Sequence, residues 1–264
     1  SPPPLPPPSP PPSSPPAPPP LPPPPPAGLV GHFTLDSTLT DASGFAADLN
    51  ATDVSGVPKA ESFAPASSCQ IGTCYSFDGD AMLLDGPPPT VGDASRSVTL
   101  WFNQPALATS GVLAYGSSST ARALFEIIIY QGQACVNLAP EFLCAAPTLS
   151  ANRWYHLAVT YKEGAQDLTV YLDGANQGST TLAGPLVTSA SDSVVRIGNG
   201  ISTLATPFTG FIDDVALWDG TLTAAEVSTI VANGQLPKPI NAGGIALSPP
   251  PPASPPSPPP SPPP

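Results

Sequence analysis

The chain has 264 residues, 43 of them proline, and 19 acidic against 7 basic side chains give it a net charge of −12. That surplus of acid argues against nucleic acid and against an anionic membrane surface as partners, since like charges repel. No apolar run reaches the ~20 residues that cross a bilayer, so no membrane span is expected.

The chain opens in a proline tract. Residues 1–26 hold 19 of the prolines and residues 249–264 hold 12 more. Ser-Pro-Pro-Pro recurs at Ser1–Pro4, Ser257–Pro260 and Ser261–Pro264. Proline lacks the N–H and fixes φ, so these arms are excluded from helix and central strand. A polyproline II rod is open to them, at ~3.1 Å per residue. Both ends of the sequence fall inside such tracts, which points to a mature product or a piece of a longer polypeptide. The expected division is a proline-rich arm over 1–27, a β-sandwich over 28–247 and a second arm over 248–264.

Between the arms the sequence reads as strands. Gly31–Asp36 alternates, with His32, Thr34 and Asp36 on one face. Leu124–Tyr130 is apolar and strand-length, and carries Glu126 within it. Ser97–Phe102 sets Ser97, Thr99 and Trp101 against Val98, Leu100 and Phe102. Trp154–Tyr161 and Leu168–Leu172 are β-branched and aromatic, joined by the polar turn Lys162–Asp167. Asp173-Gly174 then marks a tight turn. Ser193–Gly198 and Phe208–Trp218 supply two further strands. Thr223-Ala224-Ala225-Glu226 has capping-box spacing, with Val227, Ile230 and Val231 on one helical face and Gly234 to close the end. The fold class expected is all-β, an antiparallel two-sheet jelly-roll sandwich with one short C-terminal helix and polyproline II arms at both ends.

The four cysteines allow three connectivities. Cys69–Cys74 and Cys135–Cys144 are the expected pairs, because both close short local loops, the second around a hairpin with Pro140 near its tip. His32 and His156 lie in strand-like sequence, so no zinc pattern competes. Paired cysteines indicate an oxidising, extracytoplasmic compartment.

These segments together resemble the laminin-G-like domains of the concanavalin A-like superfamily, over roughly residues 28–235. The resemblance rests on Leu29–Asp36 with Asp41-Ala42-Ser43-Gly44, on Tyr75-Ser76-Phe77-Asp78-Gly79, on Trp154–Tyr161 with Val170-Tyr171-Leu172-Asp173-Gly174, and on Phe208–Trp218 with Leu222–Val227. It implies a structural calcium held near the N-terminal strand and the final strand, at Asp36 or Asp41 together with Asp213; no other cofactor is expected. Asp213 and Asp214 are neighbours in a strand and so point to opposite faces. The arms resemble the hydroxyproline-rich glycoproteins of green-algal and plant walls. That resemblance implies hydroxylated, O-glycosylated prolines, here Pro2, Pro3, Pro4, Pro6, Pro7, Pro8, Pro258, Pro259, Pro260, Pro262, Pro263 and Pro264.

The chain carries five glutamates, and none has an acid two residues away as in the Glu-x-Asp-x-Glu strand of some sandwich glycosidases. Retaining hydrolysis needs two carboxyl groups ~5 Å apart. No catalytic residue is assigned and no enzyme is expected. Trp101, Trp154, Trp218, Tyr115, Tyr130 and Tyr155 are able to stack on sugar or proline rings, but each lies in an apolar strand, where core packing is the competing role. Asn50-Ala51-Thr52 is an N-glycosylation sequon.

The leading expectation is a secreted structural glycoprotein of a wall, matrix or surface fibril, with glycosylated rods joined by a sandwich node. Its partners would be other copies of itself in a filament, arm to domain or arm, and its covalently attached glycans. The alternative is a carbohydrate-binding, lectin-like module on proline-rich stalks, with wall polysaccharide as its partner.

Overall fold

The computed structural model describes residues 28–53, 55–84, 88–190 and 194–233. Both proline tracts, and with them the O-glycosylation positions and Gly234, lie outside the described residues.

Among the described residues, fifteen strands and one α-helix follow in chain order, with a short 3-10 turn over Ala66–Ser68 between the third and fourth strands. They are β1 (Gly28–Phe33), β2 (Leu49–Thr52), β3 (Phe63–Ala64), β4 (Cys74–Asp78), β5 (Ala81–Leu84), β6 (Arg96–Asn103), β7 (Ser110–Gly116), β8 (Leu124–Tyr130), β9 (Gln133–Asn137), β10 (Phe142–Cys144), β11 (Trp154–Lys162), β12 (Asp167–Leu172), β13 (Ala175–Thr181), β14 (Arg196–Ile197), β15 (Thr209–Asp219) and α1 (Ala224–Asn233). The first sheet runs β13-β12-β11-β6-β15-β4-β3, with β1 also on β15; the second runs β10-β9-β8-β7-β14-β5-β2. Every strand pairing is antiparallel.

The period-two pattern decides which residues meet between the sheets. From the first sheet come Val98, Leu100 and Phe102 of β6 and Tyr155, Leu157, Val159 and Tyr161 of β11. From the second come Leu113 and Tyr115 of β7, Phe125, Ile127 and Ile129 of β8, and Ala134 and Val136 of β9. Phe102 stacks on Tyr155 and Tyr115 on Phe125, with ring centres 5.7 Å and 5.3 Å apart. Each such side chain contributes ~1.5–3 kcal/mol by leaving water.

The outer face of the first sheet has its own cover. There Ala158, Ala216, Tyr171 and Trp218 pack under Leu222, Val227 and Ile230 of the helical segment. The capping box forms as expected: the Thr223 N–H donates to Glu226 Oε2 (2.7 Å), and the Glu226 N–H donates back to Thr223 Oγ1 (3.3 Å). A bulge between Asp213 and Ala216 keeps both of these residues outward on β15, with Asp214 at φ 49°.

Candidate functional site

The outer face of the second sheet carries an open groove of about 640 Å³, lined by Tyr130 at the end of β8, Asn137 at the end of β9, the Ala139–Pro140 turn, Phe142 on β10, Ser118, and the loop residues Ser202, Thr203 and Leu204. That volume lies within the ~300–1,000 Å³ usual for small-molecule sites. Tyr130 and Phe142 meet edge to face, ring centres 5.4 Å apart at 80°. Phe142 is 39% exposed and Leu204 44% exposed, high values for large apolar side chains. Phe142 and Asn137 are cross-strand partners, as are Cys144 and Cys135. The disulfide therefore crosses the same short strand pair that presents Phe142.

One buried acid joins the two walls. Glu126, on β8, is fully buried. Its Oε1 accepts the N–H of Ile201 (2.6 Å) and of Ser202 (2.8 Å), and its Oε2 accepts the Ser202 hydroxyl (2.5 Å) and Asn137 Nδ2 (2.9 Å). Asn137 Oδ1 in turn accepts the Ala139 N–H. Glycine lets the loop lie this close to the sheet. A Cβ on Gly111 of β7 would stand 2.1 Å from the Gly200 nitrogen, and one on Gly200 would stand 2.7 Å from Glu126 Oε1.

Of the aromatic residues named from sequence, Tyr130 alone lines this groove. Trp101, Trp218, Tyr115 and Tyr155 are buried and serve packing. Trp154 is half-buried against Phe211 and donates from Nε1 to the Ser68 carbonyl. Sequence reasoning missed Phe142 and assigned Glu126 no role. His156 is buried edge-on to Trp101, and burial pushes its imidazole down to about 4. His32 Nε2 bonds Asp214 Oδ1 at 2.6 Å.

The acids offered for calcium separate. Asp41 is committed to its own loop, accepting the N–H groups of His32, Ser43, Phe45 and Ala46 and the Ser43 hydroxyl. Burial alone would raise its carboxyl, but bonds from His32, Ser43 and Ala46 outweigh that and hold it below the usual carboxylate value. Asp41 thus organises its own loop. Asp36 and Asp213 instead flank one loop. Asp213 Oδ2 accepts the Ile71 N–H (2.9 Å), and Asp36 Oδ1 accepts the Thr73 N–H (2.7 Å). Gly72 lies between, and a Cβ there would fall 1.8 Å from Asp36 Oδ1. Burial chiefly, with repulsion from Asp214 and Asp36, pushes the Asp213 carboxyl up to about 7, against the pull of the Ile71 N–H. Its Oδ1 is buried with no partner. Two carboxylates with one free buried oxygen suit a hard, oxygen-seeking cation in part. Among the described residues no group of three or more His, Cys, Asp or Glu gathers.

The model of one protein family, described as the concanavalin A-like lectin/glucanases superfamily, matches residues 78–228, more than half the chain. The chain belongs to the concanavalin A-like lectin/glucanase superfamily. Three solved structures illustrate how far this superfamily's fold is shared. Domain 4 of AbnA, an extracellular GH43 arabinanase from Geobacillus stearothermophilus, solved with arabinotriose, is 19% identical with a TM-score of 0.62, over 78% of this chain and 98% of that one. The binding domain of Paraclostridial Mosquitocidal Protein 1 is 11% identical with a TM-score of 0.58, over 78% of this chain and 52% of that one. The binding domain of botulinum neurotoxin serotype G is 13% identical with a TM-score of 0.59, over 78% of this chain and 51% of that one. The chain spans about half the length of the two toxin domains. At these identities the likeness shows the fold. No curated protein sequence matches the chain.

The superfamily's description includes lectins and glucanases alike, so the acids decide what chemistry this member's groove can offer. Glu126 lies beneath the loop with both oxygens taken. Glu141 pairs with Arg122 at 3.0 Å, Glu226 caps the helix, and Glu61 and Glu163 are exposed. The groove lining presents aromatic faces and neutral hydrogen-bonding groups. Both expected disulfides form, Cys69–Cys74 and Cys135–Cys144, and they fit an extracellular protein. No helix among the described residues is long and apolar enough to cross a membrane.

Proposed function

We propose that this domain is a non-catalytic, lectin-like carbohydrate-binding module that takes a saccharide in the groove of Tyr130 and Phe142. The observation that carries this reading is the exposed Phe142 ring set against Tyr130, with Asn137, Ser118, Ser202 and Thr203 around it. An aromatic face accepts the apolar face of a sugar ring, and neutral polar groups answer its hydroxyls. The arabinotriose-bound domain makes that trisaccharide a sensible first probe. The test is a glycan array with the full chain, followed by calorimetry. Affinity in the range of roughly micromolar to millimolar is expected. Phe142→Ala should weaken it about tenfold, the equivalent of ~1.4 kcal/mol. Unchanged affinity in Phe142→Ala, or no saccharide bound at all, refutes the reading.

The wall-fibril role belongs to segments outside the described residues, and the domain itself favours binding. The two are compatible: a secreted saccharide-binding node carried on glycosylated proline rods would anchor those rods to wall polysaccharide. Asn50 is exposed on β2, an edge strand of the second sheet, which suits an attached N-glycan. A structural calcium would be held by Asp36 and Asp213, joining the final strand to the 70–73 loop. Calcium should then raise the melting temperature of the wild type and leave Asp36→Asn unmoved; equal responses refute it.

A further inference from the structure

We infer that the groove selects uncharged saccharides and turns away uronic-acid and sulfated chains. This rests on the saccharide reading above and names the ligand class. None of the groove-lining residues is an Asp, Glu, Lys, Arg or His, so the lining supplies no carboxylate, ammonium, guanidinium or imidazole. Arg122 is tied to the Ala139–Pro140 turn by its backbone N–H, which donates to the Ala139 carbonyl (2.7 Å), so its guanidinium is the cation to consider. That cation is answered already, because Arg122 Nη1 lies 3.0 Å from Glu141 Oε1. An anionic sugar would thus give up its hydration for a groove with no free positive charge.

The neutral donors and acceptors point the same way. The side chains of Ser118, Tyr130 and Thr203 make no hydrogen bond with the described residues, so their hydroxyls are free to donate or accept. A sugar hydroxyl also does both, whereas a carboxylate or sulfate only accepts. Beyond the groove, the chain's net charge of −12 repels polyanions before contact. That long-range part is screened by salt, while the local mismatch inside the groove is screened much less.

The experiment titrates the full chain with size-matched neutral and acidic trisaccharides, a xylose or galactose trimer against trigalacturonate, at low and high salt. The neutral trimer should bind, and Phe142→Ala should weaken it about tenfold, in line with a lost ring contact. Trigalacturonate should bind at least about tenfold more weakly at both salt levels, because salt removes only the distant repulsion. Thr203 is exposed on the rim. Thr203→Lys should raise trigalacturonate affinity and make it fall with salt. Trigalacturonate bound as tightly as the neutral trimer, and lost in Phe142→Ala, overturns the selectivity and leaves the saccharide reading standing. A Thr203→Lys chain with unchanged affinity for the acid overturns the electrostatic basis of the selection. Failure of both trimers, and of a wider glycan array, sinks the saccharide reading itself.

Discussion

Glu126→Gln removes the charge that ties the two walls of the groove and leaves the shape nearly unchanged. The carboxylate accepts four hydrogen bonds, two at each oxygen, from Ile201, Ser202 and Asn137. Glutamine retains one acceptor oxygen. If that oxygen keeps the Ile201 and Ser202 amides, the new NH2 group faces the Ser202 hydroxyl and Asn137 Nδ2. The hydroxyl turns and accepts. Asn137 cannot, because turning its amide over abandons the Ala139 N–H that Oδ1 now receives. The variant therefore loses at least one charge-assisted bond outright and weakens the others. Hydrogen bonds to charged groups net ~1.5–3 kcal/mol each, so a total loss of about 2–3 kcal/mol is expected. The effect should be local, since the loop from Asn199 to Leu204 has this acid as its anchor. A loss of that size multiplies the opening equilibrium by roughly 30–150. Amide hydrogen exchange at Ile201 and Ser202 should speed up by that factor while β8 and β9 amides stay protected. Saccharide affinity should fall with it, because Ser202, Thr203 and Leu204 form one wall. Glu163→Gln, on the exposed hairpin turn, is the control. Unchanged protection at Ile201 and Ser202 would refute the assignment, as would acceleration shared equally by every strand.

Three further outcomes follow from buried polar groups. The neutral His156 imidazole, with a pKa near 4 in the fold against about 6.5 unfolded, gives stability that is complete above about pH 6.5 and drains away as the pH falls toward 4; up to about 3 kcal/mol is at stake, and urea unfolding of wild type against His156→Gln across that window should show the difference, whereas parallel profiles would mean the imidazole protonates freely in the fold. Asp213 has the opposite sign: raised to about 7, its carboxyl favours the fold below about pH 4 and loses that advantage as the pH rises through 7, so Asp213→Asn should gain on the wild type over that rise in calcium-free buffer, and a constant gap would contradict the buried acid. Arg96 is buried and donates to the carbonyls of Thr90, Gly92 and Ala94 and to Tyr115 and Thr188, with its guanidinium 5.9 Å from the Tyr115 ring centre; Arg96→Met should cost about 2–4 kcal/mol after the relief of an unpaired buried charge is counted, Arg96→Lys should rescue little because one ammonium cannot reach five acceptors, and a fully rescued melting temperature in the lysine variant would deny the fork its role.

What the sequence made legible was local. Alternation in Ser97–Phe102 and Trp154–Tyr161 placed the right side chains inward, and β6 and β11 sit next to each other at the centre of the first sheet. Both disulfides and the capping box also fell within ten residues of sequence. Strands without a strong pattern escaped. β13, Ala175–Thr181, is polar and largely exposed because it is an edge strand, and β14 shrinks to Arg196–Ile197. Aromatic content alone misled: tryptophans and tyrosines suited to a sugar proved to be core residues, since an aromatic ring in a strand is equally suited to both.

The groove was hidden for a physical reason. Its walls come from β8, from the β9–β10 hairpin and from a loop some 75 residues later, joined through Glu126 and Ile201. Long-range closure of this kind leaves no periodic trace. It does leave a chemical one. An acid inside Leu124-Phe125-Glu126-Ile127-Ile128-Ile129-Tyr130 cannot be buried as a bare charge, so donors have to converge on it from elsewhere in the chain. The sequence could not say which donors. The structure supplies Ile201, Ser202 and Asn137, which line or border the groove, and the same four bonds that satisfy the acid also fix the walls. A buried carboxylate with every lone pair occupied is poorly placed for catalysis and well placed to hold a binding site still. The one charged residue in an apolar strand therefore marks the place where the fold and the groove are held together.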